Sequence, residues 1–168
     1  MRGFAAGLVA AAFGALLLRL FPGLELKLFA GSAARLVGLF TGSPVLWTGQ
    51  CWELPSATVP VAITAACSAT DFFLMAAALI AWQLARRGRR LAFAIPTGVV
   101  VAAPLAISIN ALRIIAVAEA HRWVIPLFPD AYEPFLHMLT GAAVFLPSLI
   151  VLNLLLEFHG RRHTPSNP

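Results

Sequence analysis

Read for where its polar residues fall, the chain is a series of long apolar runs broken by a few charged or proline-rich stops. A helix that crosses a membrane needs roughly 20 mostly apolar residues to cover about 30 Å of hydrocarbon. Gly3 to Phe21 meets that measure with one charge, Arg19, near its far end, and Pro22-Gly23 stops it. Arg2 ahead of an apolar run also fits a signal peptide. The run is longer than a usual signal core and no small-x-small cleavage site follows Pro22, so a retained helix is expected. Leu24 to Phe40 is apolar but interrupted by Glu25, Lys27 and Arg35, and Gly42-Ser43-Pro44 closes it. Its leucines leave one polar flank, as in a helix that lies along a membrane surface or packs against a bundle. Trp47 to Ala66 carries Gly49, Pro55 and Pro60 among β-branched Thr58, Val59, Val61, Ile63 and Thr64. This reads as an ordered loop or short extended strand.

Ser68 to Leu84 is the second clear span, with Asp71 its only charge, and it runs into Arg86-Arg87-Gly88-Arg89-Arg90. Leu91 to Asn110 is the third, with Pro96 and Pro104 inside it and a helical pattern that can continue through Arg113 to Trp123. Pro126 to Pro134 reads as a loop, and His137 to Leu156 as the fourth span. The expected architecture is therefore all-α: a polytopic membrane helix bundle of four spans plus an amphipathic or fifth helix. One domain covers residues 1–160, and a loose cytoplasmic tail covers 161–168.

Composition narrows the class further. Of 168 residues, 60% are hydrophobic and only 11% charged, against about 45–50% and about 25% in a soluble domain. That excludes a cytosolic globular enzyme and a disordered tail, and two cysteines exclude a disulfide-dense module. A net charge of +5 would suggest nucleic acid as a partner in a soluble protein. Here the cations mark topology instead, and nucleic acid is not an expected partner. Placing the Arg86–Arg90 loop inside puts Arg2, Arg161 and Arg162 inside as well, by the excess of Lys and Arg on cytoplasmic segments. Six acids, Glu25, Glu53, Asp71, Glu119, Asp130 and Glu133, then fall outside, and only Glu157 falls inside. The expectation is N-in and C-in, in the inner membrane of a bacterium, with lipid as the surroundings. Trp47, Trp52, Trp82 and Trp123 fit interfacial anchors.

Ionisable groups within a membrane protein are costly, so the few present mark candidate sites. Cys67, Arg113 and His137 all fall at the outer ends of spans. A thiol becomes a nucleophile as thiolate, which a nearby His, Arg or helix N-terminus favours. His137 is placed to take and return a proton. Arg113 suits an oxyanion or a substrate carboxylate. The sum is acyl transfer through a thioester. Singly, each has a plainer reading: a packing cysteine, an interface histidine, a snorkelling arginine. Their shared face is what makes the plain readings uncomfortable together. A Cys51–Cys67 disulfide in an oxidising compartment would remove the nucleophile. Asp71, one turn after Cys67, is expected on the same side, paired with Arg113 or capping its helix. Glu133 precedes His137 by one turn and either orients it or belongs to a solvated loop. Glu119, His121 and Arg122 read as a solvated outer face. No cofactor or metal is implied, and Cys-x-x-Cys, Gly-x-Ser-x-Gly and His-Glu-x-x-His are absent.

Ala66-Cys67-Ser68 opening one span, Asn110-Ala111-Leu112-Arg113-Ile114 closing the next, and His137 with Gly141 and Phe145 opening a third resemble the exosortase/archaeosortase family. The short length resembles the exosortase K type. The resemblance covers roughly Ala65 to Leu146. It implies a cysteine-dependent membrane peptidase or transpeptidase, with Cys67 as nucleophile, His137 as acid and base, and Arg113 as stabiliser. Asn110 would orient Arg113, and Ser68 and Asp71 would support the site. The implied partners are membrane-anchored proteins whose C-terminal sorting signal combines a Pro-Glu-Pro motif, a hydrophobic helix and a basic tail. The family commonly has Gly two residues after the cysteine, where this chain has Ala69. Two non-enzymatic roles are the alternatives: a transporter subunit that clamps an anionic solute with Arg113 in the same outer pocket, or a scaffold for envelope polysaccharide export that depends on none of the three residues.

Overall fold

The computed structural model describes residues 2–55 and 60–162. In chain order it contains α1 (Arg2–Leu20), a π-helical segment (Glu25–Ala30) running straight into α2 (Gly31–Thr41), and strands β1 (Leu46–Trp47), β2 (Trp52–Leu54) and β3 (Val61–Ile63). A 3-10 turn (Ala65–Cys67) leads into α3 (Thr70–Arg86), followed by α4 (Leu91–Trp123), two more 3-10 turns and α5 (Glu133–Arg162). The protein is an all-α membrane bundle that carries one small sheet. Among the described residues, three helical stretches are long and apolar enough to cross a membrane: Arg2–Leu20, Leu91–Leu127 and Glu133–His159. α3, expected as a full span, has 17 residues and is the central helix, packed by α1, α4 and α5.

Lipid tails supply no hydrophobic drive between helices, so close packing must hold the bundle, and small residues permit it. The buried face of α1 is Gly3, Ala6, Gly7, Ala10 and Gly14. A Cβ on Gly7 would stand 3.1 Å from the Ala78 carbonyl oxygen of α3. α4 buries every fourth residue in a strip of Ala94, Gly98, Ala102, Ala106, Asn110 and Ile114. A Cβ on Gly98 would fall 2.7 Å from the Ala77 carbonyl oxygen, closer than atoms can sit. Pro96 and Pro104 do not end α4. Each removes one amide from the ladder of α4, a break that membrane helices tolerate. The 33 residues of α4 extend about 50 Å, and Arg113 lies about 33 Å from its start.

The contacts orient the helices. Gly3 meets Trp82 and Gly14 meets Leu74, so α1 runs antiparallel to α3. Phe145 stacks on Phe72 at 5.2 Å, and Asn153 bonds Gln83, so α5 runs parallel to α3. One end of the bundle therefore gathers Arg2 and the Arg86–Arg90 loop. The other gathers Arg19, Glu25, Cys67, Asp71, Arg113 and His137.

Several expectations change. The segment read as a loop or single strand is a three-stranded antiparallel meander, with Trp47 opposite Trp52 and Trp52 opposite Ile63. Thr58 and Val59 lie outside the described residues. Leu24 to Phe40 packs against the bundle, the second of its two expected places: Phe29 is buried against α3 and α4, and Ala30, Ala33, Ala34 and Val37 against the sheet and α4. Trp52 is a packing residue, not an interfacial anchor: its indole donates to the Leu26 carbonyl at 2.9 Å and leaves no room for a Cβ on Gly31. The loop expected before His137 ends at Tyr132. Pro134 sits in the first turn of α5, where proline is tolerated. α5 continues through Arg162, and the rest of the expected tail lies outside the described residues.

α5 buries only 6% of its most apolar window, so specific contacts hold it. Fully buried Gln83 donates to Asn153 Oδ1 at 2.8 Å, Asn153 donates to Glu157 at 3.4 Å, and Arg87 donates to the Leu156 carbonyl. Asn153→Leu should lower the resistance of the protein to unfolding by about 1 kcal/mol, since it strands a buried amide. The double variant with Gln83→Leu should recover most of that loss, because removing both polar partners costs less than orphaning one. Unfolding titrations of the four proteins in a double-mutant cycle measure this.

Candidate active site

The thiol sits on the last residue of a 3-10 turn. Cys67 donates its amide to Thr64 and Ser68 donates to Ala65, each at 3.0 Å. Ala69 then takes a left-handed conformation, φ 57 and ψ 31, and α3 begins at Thr70 rather than Ser68. This left-handed residue breaks the helical register between Cys67 and α3. Asp71 is consequently not on the same side as Cys67: the two line different cavities. The first turn of α3, whose amides were expected to favour a thiolate at Cys67, lines the cavity without the thiol. Ser68 is buried, and its hydroxyl is hydrogen-bonded to that of Thr70.

Asn110, fully buried on the small-residue strip of α4, donates its side-chain amide to the Cys67 carbonyl. It does not hold Arg113, as the sequence suggested. Its Oδ1 has no hydrogen-bond partner. The turn that bears Cys67 is thereby tied to the helix that bears Arg113, one turn further on. Arg113 is held instead by α5. Its guanidinium lies over the Phe145 ring at 5.2 Å. A Cβ on Gly141 would come within 2.7 Å of its Nε. His137, Gly141 and Phe145 recur at intervals of four and form one stripe of α5, which faces Arg113.

A cavity of about 180 Å3 is lined by Cys67, Arg113, His121 and His137, with Val61, Ile114 and Val117 among its apolar walls. The predicted trio meets there, from the turn before α3, from α4 and from α5. Thr64 points its hydroxyl at the sulfur from 4.0 Å. His121, assigned from sequence to a solvated face, turns inward: its ring meets that of His137 edge-on at 5.8 Å. Glu133, the first residue of α5, places a carboxylate oxygen 3.9 Å from His121 Nδ1. It therefore addresses His121 from within the helix rather than sitting in a solvated loop. Only Glu119 and Arg122 remain on the outer face, both engaged with Trp123. Arg113, Val117 and His121 are spaced by four, a signal that α4 keeps one face past Arg113.

Cys51 and Cys67 are both free thiols, so the disulfide considered from sequence is not formed. Cys51 lies 3.2 Å from the Thr48 hydroxyl and 3.8 Å from Glu53. A thiol, two imidazoles and a guanidinium around a small, mostly apolar chamber make a set able to attack a carbonyl, relay a proton and stabilise an oxyanion.

Comparison with known proteins gives one clear result: the transmembrane exosortase family model matches residues 1–154. No curated protein matches the chain, and no solved structure does.

The left-handed backbone at Ala69 carries a cost. An L-residue there loses roughly 1–2 kcal/mol, partly offset by the greater unfolded-state entropy of glycine. Ala69→Gly should stabilise the protein by about 0.5–1 kcal/mol, read as a higher unfolding midpoint.

Proposed function

This chain belongs to the transmembrane exosortase family, and from that premise and the site's geometry we infer a membrane-embedded cysteine transpeptidase that cleaves C-terminal sorting signals. The observation that carries the reading is the single chamber lined by Cys67, Arg113, His121 and His137. His137 takes the thiol proton as Cys67 Sγ attacks the scissile carbonyl. Arg113, clamped between Gly141 and Phe145, stabilises the oxyanion. Collapse of the tetrahedral species returns the proton through His137 to the leaving amine, and the hydrophobic tail departs. The thioester on Cys67 is then resolved by an amine or by water.

In this reading the arginine-rich end of the bundle lies in the bacterial cytoplasm, because Lys and Arg concentrate on that side. Four helices, α1, α3, α4 and α5, then run the length of the bundle with both termini inside, and the short length resembles that of the K-type members. The chamber opens at the outer face of the inner membrane. A substrate anchored by its own C-terminal helix would present its scissile bond at that level.

Cys67→Ala should accumulate unprocessed substrate and trap no acyl-enzyme, and gel shifts of a tagged sorting-signal protein in cells would show it. Continued processing by this variant would falsify the reading. Gly141→Ala should displace the guanidinium, since the new methyl has nowhere to go but against Nε. Misplacement of a catalytic group on this scale costs about 10–100-fold in rate. The unfolding midpoint should stay near that of the parent, which separates a moved arginine from a misfolded protein.

A further inference from the structure

Arg19, Glu25 and Asp71 take no part in the reaction above. With Arg113 they line a second cavity of about 490 Å3, a volume typical of small-ligand sites, which run roughly 300–1,000 Å3. Arg113 is the residue that this cavity and the Cys67 chamber have in common. The four charges come from four chain segments: the end of α1, the π-helical segment, the first turn of α3, and α4. Among the described residues no ion pair within 4.0 Å joins any two of them. Two cations and two anions are thus brought to one cavity and left unpaired, with the hydroxyl-bearing Ser68 and Thr70 in the wall. Arg19 and Asp71 stand at the exposed rim of the cavity, and Glu25 and Arg113 are half-buried. A ligand of one sign would oppose half of these four. A ligand that carries both signs would satisfy all of them.

We propose that this cavity is the acceptor site and that it takes a zwitterionic primary amine. The phosphate or carboxylate of the ligand lies between Arg19 and Arg113, and its ammonium faces Glu25 and Asp71. The proposal rests on the thioester reading above. In the resolving step the ammonium loses one proton to solvent, the freed amine swings past Arg113, which the two cavities share, into the Cys67 chamber, and its nitrogen bonds to the thioester carbonyl carbon while giving a second proton to His137. The C–S bond breaks, the sulfur of Cys67 leaves with the electron pair and regains the proton from His137, and the product is an amide. No oxidant, reductant or further reactant enters.

The binding test uses the full-length Cys67→Ala protein, so it is blind to whether the chain is a peptidase. O-phosphoethanolamine is titrated against the detergent-solubilised protein, with inorganic phosphate and ethylamine as its separate halves. The expected result is binding at least tenfold tighter than either half, weakened at least fivefold by Asp71→Asn and by Arg19→Gln, with Glu25→Gln as a third variant. Phosphate binding as tight as the full probe, or indifference to Asp71→Asn, overturns the site. Protein in phosphatidylethanolamine nanodiscs separates the sources. Loss of probe binding there identifies a lipid headgroup as the natural ligand, and undiminished binding identifies a soluble amine. In the active protein, the mass of the newly made C-terminus of a processed substrate tests the role: an amide to a zwitterionic amine supports it, and a free carboxylate overturns it. Failure of the peptidase reading itself would show differently, as processing that persists in Cys67→Ala cells while probe binding stays intact.

Discussion

The close approach of α4 to α3 governs where Cys67 and Arg113 lie. Its basis is a strip of alanine and glycine at every fourth position of α4, which brings the two backbones near enough that a methyl on Gly98 would collide with a carbonyl of α3. In lipid this contact has no hydrophobic alternative, because tails are as apolar as the side chains they would replace. The strip ends in Asn110, where the same close approach becomes a hydrogen bond from a buried amide to the Cys67 carbonyl. Packing along the membrane thus terminates in a polar contact that sets the position of the Cys67 turn relative to Arg113. Asn110 Oδ1 remains buried without a hydrogen-bond partner, a cost borne in the wall of the site.

α5 obeys a different logic. It buries little surface, yet it supplies His137 and the surface on which Arg113 rests. Three separated contacts define its place. The Gln83–Asn153–Glu157 ladder holds the arginine-rich end, the Phe72–Phe145 ring pair holds the middle, and Gly141 admits the Arg113 side chain at the site. A helix located by points rather than by area can be moved by small changes at any of them, including changes far from the chemistry.

Arg113 also divides the polar interior. On one side lies a small, largely apolar chamber with the thiol and two imidazoles. On the other lies a larger cavity in which charges of both signs stand apart. One guanidinium belonging to both cavities gives a physical route by which occupancy of the larger chamber would be felt at Cys67.

Much of this was legible in the chain itself. The long apolar runs, the stops at Pro22-Gly23 and Gly42-Ser43-Pro44, and the lone polar residues Cys67, Arg113 and His137 emerge from composition and spacing, because burying charge in lipid is so costly that each exception stands out. The Arg113–Val117–His121 spacing was present too, but its meaning depended on α4 remaining helical well beyond the hydrocarbon. What the tertiary structure alone decided was the side on which each residue falls. Ala69 adopts a backbone conformation that an alanine rarely takes, and that one residue rotates Asp71 away from Cys67. Neighbouring helices chose the partner of Asn110, the cradle of Arg113 and the inward turn of His121. Periodicity reports which residues share a face of one helix. Which face meets which neighbour depends on contacts between segments distant in sequence, and no local pattern encodes those.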